Sequence, residues 1–122
     1  MHEFLPDGGT IRKLWFGESE LYRDHLLRLD PESRRARFGG AVSDAFIRDY
    51  VARPFGAERI VHGFFVAGTM RGAAELRPVR ALAGVAEVAL SIEQPWQGGG
   101  VGSALFSHPL LAARNRGIRK LR

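Results

Sequence analysis

The chain has 122 residues, 45% hydrophobic and 25% charged, with a formal net charge of +5 and no cysteine. That length suits one domain spanning residues 1–122, and the apolar content is enough for a core, which excludes wholesale disorder. The absence of thiols excludes a disulfide scaffold, a thiolate metal site and a cysteine nucleophile, while the positive charge favours anionic partners such as nucleic acid, anionic lipid or a phosphorylated cofactor.

The first ten residues carry no apolar run behind a basic start and do not read as a secretory signal. Pro6-Asp7-Gly8-Gly9 is a turn signal. A short strand follows over Thr10 to Leu14. Glu18 to Leu29 reads as a helix, with Leu21, Tyr22, His25, Leu26 and Leu29 on one face. Asp30-Pro31 restarts the chain as a cap followed by a helix-opening proline, and Gly39-Gly40 ends that segment. Ser43 caps a third helix whose apolar side is Ile47, Tyr50 and Val51, with Pro54 beyond its end.

The pattern then changes to strands. Ile60 to Ala67 is β-branched and aromatic, Gly68-Thr69 is a turn, and Arg71 to Arg77 returns as the second half of a hairpin. This most apolar stretch is interrupted by His62, Gly63 and Gly68, far short of the ~20 apolar residues of a spanning helix. After a loop, Val85 to Ile92 alternates, with Ala86, Val88, Leu90 and Ile92 facing one way and Glu87, Ala89 and Ser91 the other. Gly98-Gly99-Gly100 opens a last helix up to about Asn115. Gly117 can end it, and Ile118 to Arg122 starts one more strand. Pro109 inside that helix should kink it. Arg114, Arg116, Arg119, Lys120 and Arg122 form either a solvated basic face or a phosphate-attracting one. Short connections predict antiparallel pairing of the earlier strands, and the helix between the last two predicts a parallel crossover. The expected class is therefore mixed α/β with a mixed sheet, in a soluble cytoplasmic protein.

The stretch that carries chemistry is Val85 to Gly117, a strand feeding a glycine-rich loop that opens a helix. First-turn amides of a helix lack internal partners, and the macrodipole makes that end positive. Glycines remove the Cβ atoms that would hold a pyrophosphate away. The dinucleotide fingerprint Gly-x-Gly-x-x-Gly fails where Ser103 stands. A P-loop fails because no lysine lies between Lys13 and Lys120. Gln97-Gly98-Gly99-Gly100-Val101-Gly102 does match Gln/Arg-x-x-Gly-x-Gly/Ala, the acetyl-coenzyme A motif of the GNAT acyltransferase superfamily. The run AEVALSIEQPWQGGGVGSALF resembles the fourth strand, pyrophosphate loop and third helix of that family. IRKLWFGESE and LRLDPESRRARF resemble the opening of bacterial GNAT domains, so the resemblance extends from Gly8 to Arg122.

The resemblance implies acetyl-coenzyme A as co-substrate, no metal, and acetyl transfer to an amine of a small molecule or protein. It places pantetheine against the backbone of Leu90, Ser91 and Ile92, and pyrophosphate on Gln97, Gly98, Gly99, Gly100, Val101 and Gly102, with Ser103 next in line. It also implies departures. Gly99 stands where an arginine is common. The chain stops where the fifth strand begins, so the later strands, the fourth helix and the usual acid tyrosine have no counterpart. On that reading the fold is incomplete after the third main helix, and the exposed sheet edge could pair with a second copy as a homodimer.

Glu87 is the candidate general base, since the family often carries a carboxylate at this point of the strand. It equally reads as a solvent-facing residue or half of an ion pair. Glu75 and Glu93 are weaker candidates. His2, His25, His62 and His108 show no metal-ligand spacing, and His108 reads as packed on a face with Val101, Ala104, Leu105 and Leu111. Trp15 and Trp96 read as core or pocket-wall residues. The competing functions are a non-catalytic acetyl-coenzyme A-binding or regulatory domain, and a basic nucleic-acid binder, which no recognition motif supports.

Overall fold

The computed structural model describes residues 5–53 and 59–122; His2 and Pro54 lie outside them. Five strands form one sheet in sequence order: β1 (Thr10–Lys13), β2 (Ile60–Val66), β3 (Thr69–Pro78), β4 (Val85–Ile92) and β5 (Lys120–Leu121). β1 to β4 pair antiparallel and β5 joins β4 in parallel. Connection lengths predict the pairings from β2 to β5, whereas β1 pairs antiparallel with β2 across a connection that holds three helices. The helices are α1 (Ser19–Leu27), α2 (Pro31–Phe38), α3 (Asp44–Ala52) and α4 (Val101–Asn115).

Local chemistry sets the boundaries. Asp30 accepts from the Ser33 amide and Ser43 from the Phe46 amide, so both predicted caps form. Gly39 ends α2 in the left-handed region at φ 74°, its N–H bonded to the Arg35 carbonyl. The β2–β3 turn is Ala67-Gly68, at φ 49° and 81°, with Val66 facing Thr69. Two left-handed central residues match the twist of a tight hairpin, so Thr69 opens β3 rather than serving in the turn.

The sheet is covered on both faces, which is why β2 is buried at every residue but its last. On one side Tyr22, Leu26, Ile47 and Val51 from α1 and α3 pack against Val61, Phe65, Met70 and Ala73. On the other, Val101 and Leu105 of α4 meet Phe64 and Ala74, and Ala113 meets Ile60, Leu76 and Ala86.

Two expectations change. Trp15 is 65% exposed, not core, and its amide donates to Glu18 Oε1 at 2.9 Å. Leu111 is 58% exposed, because the buried row of α4 is Val101, Ala104, Leu105, Pro109 and Ala113. His108 is half-buried beside the His62 ring, 5.2 Å between centroids. Pro109 removes one backbone donor, yet α4 continues through it to Asn115. Among the described residues no helix is long and apolar enough to cross a membrane.

Candidate functional site

β5 pairs with only the first part of β4, at Val85 and Ala86, and Arg122 extends the ladder to Val88. The Val88 amide donates to the Arg122 carbonyl on that side, whereas the Glu93 amide donates to Arg71 of β3. Strand alternation therefore directs the peptide groups of Leu90 and Ile92 to the edge that β5 leaves uncovered. Leu90 is exposed and Ile92 half-buried, while the Ser91 side chain is buried under α1.

The uncovered edge runs into the glycine loop. Gly98 and Gly100 adopt φ 81° and 84°, and a Cβ at either would meet nothing within 4 Å. Their role is thus backbone conformation, with open space before the amides. Gly100 is the N-cap of α4, and no side chain caps that end, so the first-turn amides of Val101, Gly102 and Ser103 keep their capacity for a ligand. A Cβ at Gly99 would meet Pro6 Cγ at 2.9 Å. Gln97 Nε2 donates to the Ile92 carbonyl at 2.8 Å and to Ser33 Oγ of α2 at 2.9 Å. Gln97, Ser33 and Leu90 to Ile92 line one open cleft of about 200 Å³.

Behind the loop lies a buried polar hub. Glu93 receives His25 Nδ1 at 3.0 Å, Arg28 Nε at 3.1 Å and Arg71 Nη1 at 3.0 Å. Burial alone would raise its pKa, but the hydrogen bond from His25 and the charge of Arg28 outweigh burial and hold the carboxyl below its ordinary value. His25 is lowered by burial despite Glu93. Its neutral ring donates from Nδ1 to Glu93 and accepts the Ser91 hydroxyl at Nε2, 2.8 Å away. Arg71 also lies 4.6 Å from the Trp96 ring centre, and Trp96 Nε1 donates to Asp7 Oδ2 at 2.9 Å. Trp96 thus stands at the root of the loop, partly buried.

A second cleft, about 340 Å³, opens on the α2–α3 side of the sheet, lined by Arg37, Phe38, Tyr50, Glu75, Arg77 and Glu87 together with Val88 and Ala89. Register brings its carboxylates together: Glu75 faces Ala89 across the β3–β4 ladder, and Arg77 faces Glu87. Both carboxylates therefore project from one face of the sheet. Their environments differ. Glu75 is 2% exposed and accepts Tyr22 Oη at 2.8 Å and Tyr50 Oη at 2.7 Å. Arg37 Nη2 lies 3.4 Å and Arg59 Nε 3.7 Å from its oxygens. Glu87 is 45% exposed and meets Arg77 and Arg122 at 3.7 Å each. Tyr50 is raised by burial and by Glu75, so its hydroxyl keeps its proton.

The structure therefore brings Leu90 to Ser103 together as one continuous surface and sets Glu87 on a separate, adjoining face. Ser33, Arg37, Phe38, Tyr50 and Arg77 join these clefts from distant or alternating positions, and no local motif announced them. Glu75 and His25 carried a partial signal as ionisable residues in apolar runs. Among the described residues no group of three or more His, Asp or Glu is arranged to hold a metal ion.

No protein-family model matches the chain, and no curated protein matches it in sequence. Solved structures do resemble it. The GNAT domain of the Streptomyces PAT (S. lividans) superposes with a TM-score of 0.75 at 24% identity, covering 93% of this chain and 69% of that one. The ribosomal-protein-S18-alanine N-acetyltransferase from Escherichia coli gives 0.64 at 18% identity, over 93% of this chain and 64% of that one. The PaiA N-acetyltransferase from Thermoplasma acidophilum, solved with coenzyme A, gives 0.62 at 20% identity, over 90% and 74%. The chain thus has the mixed α/β fold of the GNAT acetyltransferases.

Proposed function

We propose that the chain binds acetyl-coenzyme A along the uncovered edge of β4 and the amides of residues 97–103, and transfers the acetyl group to an amine. The observation that carries this reading is the continuity between a strand edge with outward peptide groups and an uncapped helix N-terminus. A pantetheine arm is an amide chain and pairs with the first. A pyrophosphate is an anion and suits the second. Coenzyme A bound to PaiA and a coenzyme A bisubstrate analogue bound to AAC(6')-Iy support the same use of this fold.

The acceptor amine enters from the 340 Å³ cleft. Its nitrogen attacks the thioester carbonyl, a C–N bond forms and the C–S bond breaks. Glu87 takes the amine proton, which solvent returns to the departing thiolate. Glu87 suits the role because it keeps open lone pairs and solvent access, whereas the Glu75 oxygens are engaged by two tyrosines and two arginines. The fold alone does not select the acceptor, since its neighbours act on aminoglycosides and on a ribosomal protein.

Calorimetric titration of acetyl-coenzyme A against the wild type and Gly100→Asp tests the site. The new carboxylate would stand at the α4 N-terminus, where phosphate is expected, and a residue other than glycine at φ 84° is strained. Affinity should fall at least tenfold. Equal affinity in both proteins would place the cofactor elsewhere.

A further inference from the structure

We propose that the acceptor is an amine that also carries a carboxylate, held by Arg37 and Arg77 while its amine faces Glu87. This rests on the reading of the 340 Å³ cleft as the acceptor side.

Arg37 is the first observation. Its side chain is only 7% exposed. Nη2 makes all of its hydrogen bonds among the described residues, to Tyr22 Oη, Tyr50 Oη and Glu75 Oε1. Nε is buried with no partner among the described residues. A guanidinium offers five donors in a rigid fork, and leaving donors unmatched in a buried position is costly. The group nevertheless stays charged, since a guanidinium is not deprotonated in proteins and Glu75 lies 3.4 Å from it. It lines the cleft with part of its donor set unused.

Arg77 is the second. It lies opposite Glu87 on the neighbouring strand, half-exposed, with the ion pair open to 3.7 Å. A pair this loose and exposed contributes little, so a ligand with both charges can replace it. An ammonium takes Glu87 and a carboxylate takes the guanidinium, as oppositely charged groups on one small molecule require. Of the two lining carboxylates, Glu75 is already satisfied, which leaves one open anionic group for cationic ligands. A polycation finds no second partner among the described lining residues. Phe38 and Tyr50 add an aromatic wall for an apolar substituent.

The test uses the full chain. Phenylalanine, phenylalanine methyl ester and spermidine are titrated into protein labelled at arginine side chains, and Nε–H resonances are followed by NMR. Phenylalanine should shift Arg37 and Arg77, and the ester should need roughly tenfold more ligand or fail to saturate. Arg77→Gln should erase most of that difference; it is chosen because Arg37 is buried and its replacement risks unfolding. Acetyl transfer, followed by thiol release, should favour phenylalanine over its ester and over spermidine by a similar factor. Equal response to acid and ester, or preference for spermidine, overturns the proposal even where acetyl-coenzyme A binds and turns over. Absence of acetyl-coenzyme A binding sinks the transferase reading instead, and the amino-acid titration still decides this one.

Discussion

Gln97 donates to the Ile92 carbonyl at 2.8 Å, tying the glycine loop back to the end of the strand that leads into it. The same nitrogen reaches Ser33 Oγ, so α2, β4 and the loop meet at one side chain. The clasp engages the Ile92 carbonyl and leaves the Leu90 peptide group and the Ile92 amide facing the open edge. Gln97→Ala should therefore loosen the loop without unfolding the protein, since Gln97 is exposed. A net hydrogen bond contributes about 1 kcal/mol, so acetyl-coenzyme A affinity should weaken about fivefold with little change in Tm. Calorimetry returning the wild-type Kd would show that the clasp is incidental.

The two cleft carboxylates should separate cleanly on mutation. Glu75→Gln removes the charge that faces Arg37 and Arg59 in a buried site, and breaking such a pair costs about 3–5 kcal/mol. Glu87→Gln touches a half-exposed residue with loose ion pairs, so stability should change by less than about 1 kcal/mol. Turnover should show the opposite order once stability is accounted for, with Glu87→Gln losing the low-pH limb of its pH–rate profile, where protonation of a general base cuts the rate. Coincident profiles for wild type and Glu87→Gln would make Glu87 structural.

Glu93→Gln should damage the loop from behind. It leaves Arg28 and Arg71 without their shared counter-ion and weakens the acceptor for His25 Nδ1. We expect a loss of about 3 kcal/mol and faster amide exchange at residues 93–100. Exchange unchanged there, with the loss spread over the whole chain, would count against local anchoring of the loop.

Acid should destabilise the fold through His62. Burial first, then His108 and Lys13, lower its pKa to about 4 from the ordinary 6.5. Its Nδ1 is buried without a partner, and the His108 ring is its neighbour across the β2–α4 contact. Between pH 6.5 and 4 the unfolded chain therefore binds more protons than the folded one, and stability falls as pH falls through that window, levelling off below it. The contribution is about 1–3 kcal/mol. Denaturant titrations of wild type and His62→Gln across this range should diverge in slope; parallel curves would remove His62 as the cause.

Much of this organisation was legible in the chain itself. Asp30 and Ser43 are local caps, and Gly98 and Gly100 serve local turns, so their roles follow from neighbours within a few residues. The alternation of Val85 to Ile92 fixed its two faces in the same way. From β2 to β4 the pairing sense followed from connection length, because a short link cannot return a strand parallel to its partner; β1 and β2, separated by three helices, are antiparallel without that signal.

What the tertiary structure alone decided is the partnership of distant side chains. His25 meets Glu93 across 68 positions and Tyr22 meets Glu75 across 53; no local signal encodes either pair. Trp15 read as core or pocket wall from its apolar ring, but the fold leaves it 65% exposed. The sequence ranked Glu87 above Glu75 only by its resemblance to the family's fourth strand, not by any local difference in environment. Their difference arises only where α2 and α3 fold over β3, surrounding Glu75 with hydroxyls and guanidiniums and leaving Glu87 at the rim. Local hydrogen bonding and periodicity are written into neighbouring residues, whereas burial and charge pairing depend on which elements the completed sheet brings together.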